Sequence, residues 1–139
     1  MILLDTNVVS ELMKPRPDGA VEAWLAGQPL TSFFLSSPSE AELRYGMAIL
    51  PAGRRREKLE AALEAILIEA FSDRILPFDS AAAISYAEIA ATRRSAGRPI
   101  AQFDAQIAAI AKSRGSSLAT RNIADFTGCG VDLLDPWNL

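Results

Sequence analysis

Short apolar runs alternate with longer segments in which apolar residues recur at helical spacing. Continuously apolar runs of a few residues are typical of strands that are buried on both faces. Strands that alternate with helices indicate an α/β fold, with a central, mainly parallel sheet flanked by helices on both faces. The predicted strands are Ile2–Leu4, Phe33–Leu35, Arg74–Phe78, Ser117–Thr120 and Val131–Leu134.

Helical periodicity fills most of the sequence between these strands. The longest helix is predicted from Arg55 to Phe71, where Leu59, Leu63 and Leu67 share one face. The remaining helices are predicted over Val8–Met13, after Asp18, after Ser37, from Asp79 or Ser80 through Arg94, up to Arg114 with Gly115 as the stop, and as a turn or short helix over Asn122–Phe126.

The helix that follows the second strand has a marked start signal. Ser37 is expected as the N-cap, Pro38 as the first helical residue, and Glu40 as the partner that completes a capping box. Glu42 is rotated by about 200° from Glu40 around the helix, so it has no role in such a cap. Glu42 is therefore a candidate catalytic or metal-binding residue.

Composition indicates a folded protein, predicted to be one domain over residues 1–139. Half of the residues are hydrophobic and 22% are charged. No apolar run approaches the roughly 20 residues needed to cross a bilayer, and the N-terminus lacks the basic region and cleavage site of a secretory signal. We therefore expect a cytoplasmic protein without membrane contact.

The absence of histidine restricts the chemistry more than any other feature of the composition. It excludes histidine-based ribonuclease and hydrolase mechanisms as well as histidine-ligated metal sites. The single cysteine, Cys129, excludes an internal disulfide and a multi-cysteine zinc site, and is expected as a small residue in a Gly-Cys-Gly turn. Any hydrolytic chemistry must therefore use carboxylates.

The net charge of −3 does not support a protein that binds DNA by overall charge. Basic residues nevertheless form two blocks, which we expect to be solvated helix ends, with contact to phosphate or an acidic partner as the alternative. The blocks are Arg54, Arg55, Arg56 and Lys58, and Arg93, Arg94 and Arg98. Solvated helix faces are expected for Glu11, Glu22, Glu57, Glu60 and Glu64.

Three acids fall where the predicted strands end. Asp5 directly follows the first strand, Glu42 lies in the second turn of the helix after the second strand, and Asp125 lies just past the fourth. Because ligands of such sheets bind at the carboxyl ends of the strands, these three side chains are expected at one edge. Taken singly, Asp5 could instead cap a helix and Asp125 could fix a turn.

Asp104 is a fourth candidate, since it continues the apolar stripe of Ile107, Ala108 and Ala111. An unpaired carboxylate there would cost several kcal/mol, of which the helix dipole offsets only ~1 kcal/mol. The alternative is an ordinary acid in the first turn of a helix. A cation shared with the other acids would resolve the conflict, and carboxylates without matching basic residues favour Mg²⁺ or Mn²⁺.

Four ordered blocks give the chain a resemblance to PIN-domain proteins, in particular to the VapC/FitB-type toxins of bacterial type II toxin–antitoxin pairs. The blocks are MILLDTNV at the start, AELRYG from residue 41, DAQIAAIA from residue 104 and LATRNIADF from residue 118; the closing LDPW also resembles the FitB-like branch. One departure is the stretch Ala101–Phe103, where the family often carries a small or polar residue, in some members a second acid.

The resemblance implies a PIN fold and a Mg²⁺- or Mn²⁺-dependent endoribonuclease whose acidic core is Asp5, Glu42 and Asp104. For the family's further acidic or amide position, both Asn122 and Asp125 match; Asp125 is favoured as the acid and Asn122 for positioning. Thr6, Asn7 and Thr120 would form hydrogen bonds around the acids. The candidate RNA contacts are Arg44, Arg98 and Arg121.

The resemblance also implies a homodimer and a small VapB/FitA-like antitoxin that occludes the site, often by placing an arginine among the acids. Operator DNA would be bound only through the antitoxin. An alternative is a catalytically weak PIN-like subunit that serves binding alone. A receiver domain or haloacid-type phosphatase fits poorly, because a phosphatase of that type would carry aspartate where this chain has Asn7.

Overall fold

The computed structural model describes all residues from 1 to 139 and has a five-stranded, all-parallel sheet at its centre. The strand order is β3-β2-β1-β4-β5, so the first strand is central. This arrangement confirms the predicted α/β fold class. The strands are β1 (Ile2–Leu4), β2 (Phe33–Ser36), β3 (Ile75–Leu76), β4 (Ser117–Ala119) and β5 (Leu133–Leu134).

Seven helices connect and flank the strands, and a short 3₁₀ turn over Leu30–Ser32 precedes β2. None of them combines the length and apolarity that a membrane crossing would require. The helices are α1 (Thr6–Leu12), α2 (Gly19–Ala26), α3 (Ser37–Ala48), α4 (Arg54–Phe71), α5 (Ser80–Ser95), α6 (Gln102–Arg114) and α7 (Ile123–Phe126).

The two outer strands are shorter than predicted. β3 is confined to Ile75–Leu76, and Pro77, which has no backbone N–H, follows it directly. β5 is confined to Leu133–Leu134, which pair with Leu118 and Ala119 of β4. Both strands lie at sheet edges, where pairing with a single neighbour limits their length.

Alternating side chains of the central strands build two separate cores. Leu3 and Leu118 belong to one cluster, which includes buried residues of α5, α6 and α7. Leu4 and Leu35 belong to the other, which includes buried residues of α1, α2, α3 and α4. Because both faces of the sheet are covered, the carboxyl-terminal edge of the strands is left as the place for a polar site.

The start of α3 differs from the prediction. Ser36, not Ser37, is the N-cap, and its hydroxyl oxygen accepts a hydrogen bond from the backbone N–H of Ser39 at 3.1 Å. The strand ends at Ser36 in an extended conformation, so the helix begins one residue earlier than the sequence pattern indicated. Glu40 takes no part in a capping box; its carboxylate instead accepts a hydrogen bond from Arg44 at 2.8 Å.

Two charged residues that were expected in solvent are buried. The Glu11 side chain is only 6% exposed; it pairs with Lys14 at 3.0 Å and accepts a hydrogen bond from the backbone N–H of Asp18 at 3.1 Å. Arg93 is 7% exposed and donates hydrogen bonds to backbone carbonyls near α7. The expected solvent exposure of Glu11 and Arg93 was wrong, because the periodicity within a helix does not show which loop packs over its end in the folded chain.

Candidate active site

A polar cavity of about 400 Å³ opens where β1 ends and brings three of the four candidate acids together. Asp5, Glu42 and Asp104 line it, together with several polar residues of α1 and of the loop after β4. The register explains why Asp5 and Glu42 converge, since Leu4 and Leu35 lie side by side in neighbouring parallel strands. Asp104 reaches the cavity from the start of α6. The prediction of a polar site at this edge agrees with the geometry.

Asp5 is the most buried of the acids, with 5% of its surface exposed. One carboxylate oxygen accepts the backbone N–H of Thr6 at 2.8 Å and thereby caps α1. The other accepts the hydroxyl of Thr120 at 2.8 Å. Burial raises the pKa of Asp5, the two hydrogen bonds oppose that rise, and the charges of Glu42 and Asp125 add to it.

Glu42 enters the cavity from α3 and is held by α1. The Thr6 hydroxyl lies 2.9 Å from Glu42 Oε1 and 3.0 Å from the hydroxyl of Ser39. Thr6 therefore joins the end of the first strand to the helix that carries Glu42. Ser39, which is fully buried, was not among the predicted site residues, and no motif in the sequence marked it.

Asp104 lies in the first turn of α6 and is partly exposed to the cavity. Ile107, Ala108 and Ala111 are fully buried, which confirms the apolar stripe below it. Burial raises the pKa of Asp104 to about 6, and the negative charges of Asp5 and Asp125 contribute to the same shift. The charge of Arg93 opposes the shift, but none of Asp5, Glu42 and Asp104 forms an ion pair within the protein, so negative charge is concentrated at the site.

Asn122 and Asp125 have different positions relative to the cavity. Asn122 lines the cavity wall, and its backbone N–H donates to the Thr120 hydroxyl at 3.0 Å. Asp125 lies on α7, is exposed to solvent and does not line the cavity, although its charge affects the pKa values of Asp5 and Asp104. Asp125 therefore influences Asp5 and Asp104 through its charge, without lining the cavity.

Arg121 is the only one of the three candidate RNA-contacting arginines at the cavity. Its guanidinium carbon lies 5.2 Å from the centroid of the Trp137 ring, and its backbone N–H donates to Asn7 at 3.4 Å. Trp137 also lines the cavity, and the sequence marked it only as part of the closing LDPW block. The contact with Trp137 holds the Arg121 guanidinium group, which has no ion-pair partner, beside the acids.

The other two arginines point elsewhere. Arg44 pairs with Glu40 and Glu64 on the outer faces of α3 and α4. Arg98 donates to the carbonyl oxygen of Ala124 at 3.3 Å and to the Thr127 hydroxyl at 3.1 Å, so it lies against α7. Neither arginine lines the cavity that contains the acids.

The donor set fits a hydrated, hard divalent cation. All of the candidate ligands are oxygen atoms, and burial, with a smaller contribution from the neighbouring negative charges, raises the pKa of both Asp5 and Asp104. No three carboxylate or thiol groups are close enough to form a ready-made metal cage. Mg²⁺ does not need such a cage, because it usually keeps several water ligands and binds through one or two carboxylates.

The pKa of Asp104 predicts a pH-dependent stability in the absence of divalent cations. A carboxyl group whose pKa is raised by folding destabilises the folded state above that pKa, and the penalty disappears as the pH falls towards the unfolded value. Asp104→Asn should therefore raise the free energy of unfolding by about 1 kcal/mol at pH 8 in EDTA, allowing for solvent screening, and have little effect at pH 4. Urea titrations at both pH values measure the difference.

Asp132→Asn is the matched control, because Asp132 is exposed and its side chain has no hydrogen-bond partner. It should change stability equally little at both pH values. An Asp104→Asn variant with no gain in stability at pH 8 would contradict the electrostatic account of this site.

Comparison with known proteins assigns the fold to a family. Residues 2–126 match the family model described as the PIN domain. The chain belongs to the PIN-domain family. This PIN domain is 44% identical over 137 residues to "VapC ribonuclease Y4jK" of Sinorhizobium fredii, with 99% of this chain and 98% of the relative covered.

Two further similarities concern FitB. The chain is 41% identical over 138 residues to "Toxin FitB" of Neisseria gonorrhoeae, and the match covers 99% of each protein. The solved structure described as "FitAB bound to IR36 DNA fragment" superposes with a TM-score of 0.94 at 40% identity, covering 100% of this PIN domain and 97% of that chain. The family that the sequence resembled is thus confirmed.

Proposed function

We propose that this PIN domain is a divalent-metal-dependent endoribonuclease and the toxin of a toxin–antitoxin pair. The observation that carries the proposal is the meeting of Asp5, Glu42 and Asp104 in one cavity, with a threonine hydroxyl fixed on each of the first two. Relatives named as a VapC ribonuclease and as the toxin FitB support the reaction class and the biological role.

Asp5 and Asp104 are the residues that would hold Mg²⁺ or Mn²⁺ here. When bound, such an ion would lower the pKa of a coordinated water and offset negative charge on the phosphodiester. Glu42 is suited to orient the attacking water, because Thr6 occupies only Oε1 and leaves Oε2 without a protein partner. Hydrolysis with in-line attack on phosphorus would leave a 3′-hydroxyl and a 5′-phosphate.

Asn122 and Asp125 would have supporting parts in this proposal. Asn122 lines the cavity and shares the Thr120 hydroxyl with Asp5, so it would keep that hydroxyl oriented towards the carboxylate. Asp125 would act over a longer distance, by adding negative charge that favours cation binding. Asn7, whose amide donates to Thr120 at 3.5 Å, would hold the same turn together.

Arg121 would bind the RNA phosphate in this site. Arg121→Gln should raise KM for RNA roughly tenfold, because it removes the unpaired cation from the cavity. Trp137→Leu should raise KM by about two- to fivefold with little change in kcat, because it removes only the ring that orders the guanidinium group. Initial rates over a range of RNA concentrations separate the two constants.

Trp24→Phe is the control for Trp137, since Trp24 packs on Phe33 with ring centroids 5.6 Å apart and lies outside the cavity. It should leave KM unchanged. Equal KM values for Trp137→Leu and the unmodified protein would show that the stack does not position Arg121.

We also propose that the chain forms a homodimer and binds a small antitoxin that occludes the acids and supplies operator DNA binding. The solved FitAB–DNA structure at 40% identity supports such a partner. Exposed Tyr45 and Phe103 border a further cavity of about 520 Å³ beside Glu42, which gives a protein partner an apolar contact close to the site. Light scattering of the purified chain measures the proposed homodimer.

The experiment that tests the enzyme is incubation of end-labelled structured RNAs with the purified, antitoxin-free chain in Mg²⁺, Mn²⁺ or EDTA. Cleavage in either metal, and none in EDTA, is the expected result. A folded protein that cuts no RNA in either metal but binds its antitoxin would overturn the nuclease and favour a binding subunit.

A further inference from the structure

A groove leads from the acidic cavity to the basic block at the start of α4. The acidic cavity shares Ser10 and Lys14 with a neighbouring depression of about 250 Å³. That depression in turn shares Pro15, Arg55 and Leu59 with a third of about 460 Å³. Because neighbouring depressions share these lining residues, the three adjoin one another along the surface that is here called the α1–α4 groove.

Charge along the α1–α4 groove reverses from one end to the other. Acids dominate where Asp5, Glu42 and Asp104 lie, whereas the far end is lined by Arg54, Arg55 and Lys58. These three basic side chains are exposed, and none forms an ion pair within the protein. Arg56, the remaining basic residue of the block, differs because it pairs with Glu60.

We propose that the α1–α4 groove is the path of a single RNA strand, whose phosphates contact Arg55 and Lys58 while another phosphate of the same strand lies among the acids. The proposal rests on the nuclease function proposed above and adds the surface that the RNA follows outside the acidic cavity. Unpaired cations that track a groove are the usual means of binding a single strand without reading its sequence. The middle of the groove, with Met13, Met47 and Leu59, provides apolar surface for bases.

The path explains how an acidic cavity can retain a polyanion. Two cations, Lys14 and Arg121, line the acidic cavity with four acids, and Lys14 is already paired with Glu11. Attraction for the strand must then come largely from outside the cavity. Arg55 and Lys58 supply it on the same continuous surface, and they leave the acids free to bind a cation.

The experiment measures binding of a fluorescent single-stranded RNA of about ten nucleotides in EDTA, where no metal-dependent cleavage occurs, over a range of salt concentrations. Arg55→Gln and Lys58→Gln should each weaken binding roughly three- to tenfold and flatten the dependence of log K on log salt by about 0.7. Arg94→Gln, which removes an equally exposed charge on α5 outside the groove, should change neither quantity.

The same variants are then assayed for cleavage in Mg²⁺ or Mn²⁺. A higher KM for Arg55→Gln on a long RNA, with no change on a dinucleotide, supports the path. Binding and cleavage equal to those of Arg94→Gln would overturn the path while leaving the nuclease intact. An effect on antitoxin affinity alone would also overturn it, because the groove would then belong to a protein partner. If no variant cleaves RNA but binding still depends on Arg55, the path stands and the nuclease fails.

Discussion

Asp5→Asn should lower metal-dependent RNA cleavage by about a thousandfold. The carboxylate is buried at the end of the central strand, where it would hold the cation, and metal ligation contributes several kcal/mol to stabilisation of the transition state. Asparagine retains an oxygen that accepts the Thr6 N–H, so the cap of α1 and the fold should persist. Single-turnover cleavage with protein in excess measures the chemical step.

Two comparisons distinguish loss of chemistry from loss of structure. Asp132→Asn removes one exposed carboxylate elsewhere and should cleave at the normal rate. Thermal unfolding in EDTA should show that Asp5→Asn is at least as stable as the unmodified chain, because burial and acidic neighbours raise the pKa of Asp5. Cleavage by Asp5→Asn within tenfold of the normal rate would remove the carboxylate cluster from the mechanism.

Metal binding should show in the same unfolding experiment. A ligand that binds only the folded state stabilises it by an amount that grows with the logarithm of ligand concentration over Kd, so millimolar Mg²⁺ or Mn²⁺ should raise the melting temperature of the unmodified chain. The same addition should have little effect on Asp5→Asn.

The position of the site was predictable because it follows from strand topology. Asp5 and Glu42 are far apart in sequence, but Asp5 directly follows β1 and Glu42 lies in the helix that follows β2. Parallel strands bring their carboxyl ends to one edge, so the residues after them meet there. The same rule also placed Asp125 at this edge, where it lies outside the cavity wall, whereas Asp104 was a candidate because of the apolar stripe of α6.

Side-chain partnerships were less predictable, because they depend on where distant loops come to lie. Asp125 was itself the favoured fourth acid, yet it lies exposed on the short helix α7 and outside the cavity wall, whereas Asn122 lines the cavity. The hydrogen bond between Thr6 and Glu42 joins residues 36 positions apart. Neither arrangement has a local sequence signal.

Arg93 is the clearest example of a role that only the fold reveals. It belongs to a basic block with Arg94, and nothing in the sequence separates a solvated arginine from its buried neighbour. In the folded chain, one turn of α5 faces the loop around α7, and Arg93 fills the space between them. Its guanidinium group donates hydrogen bonds to several backbone carbonyls, in place of the water that would otherwise hydrate them.

Arg93→Met should therefore cause the largest loss of stability among the variants considered. Arg93 donates to the carbonyl oxygens of Arg98 at 2.7 Å, Asp125 at 2.9 Å and Thr127 at 3.1 Å. Each carbonyl that loses its donor without access to water costs about 1–3 kcal/mol. We expect the free energy of unfolding to fall by about 3 kcal/mol and the melting temperature by roughly 10 °C.

Arg94→Met is the matched control, since it makes the same substitution one residue further on at an exposed position. It should alter stability by less than about 0.5 kcal/mol. Arg93→Lys should recover only part of the loss, because an ammonium group lacks the planar fork that reaches three carbonyls together.

Equal melting temperatures for Arg93→Met and Arg94→Met would show that the loop around α7 does not depend on Arg93. An Arg93→Met variant that is less stable but cleaves at the normal rate where it remains folded would show that the acids keep their positions without this anchor.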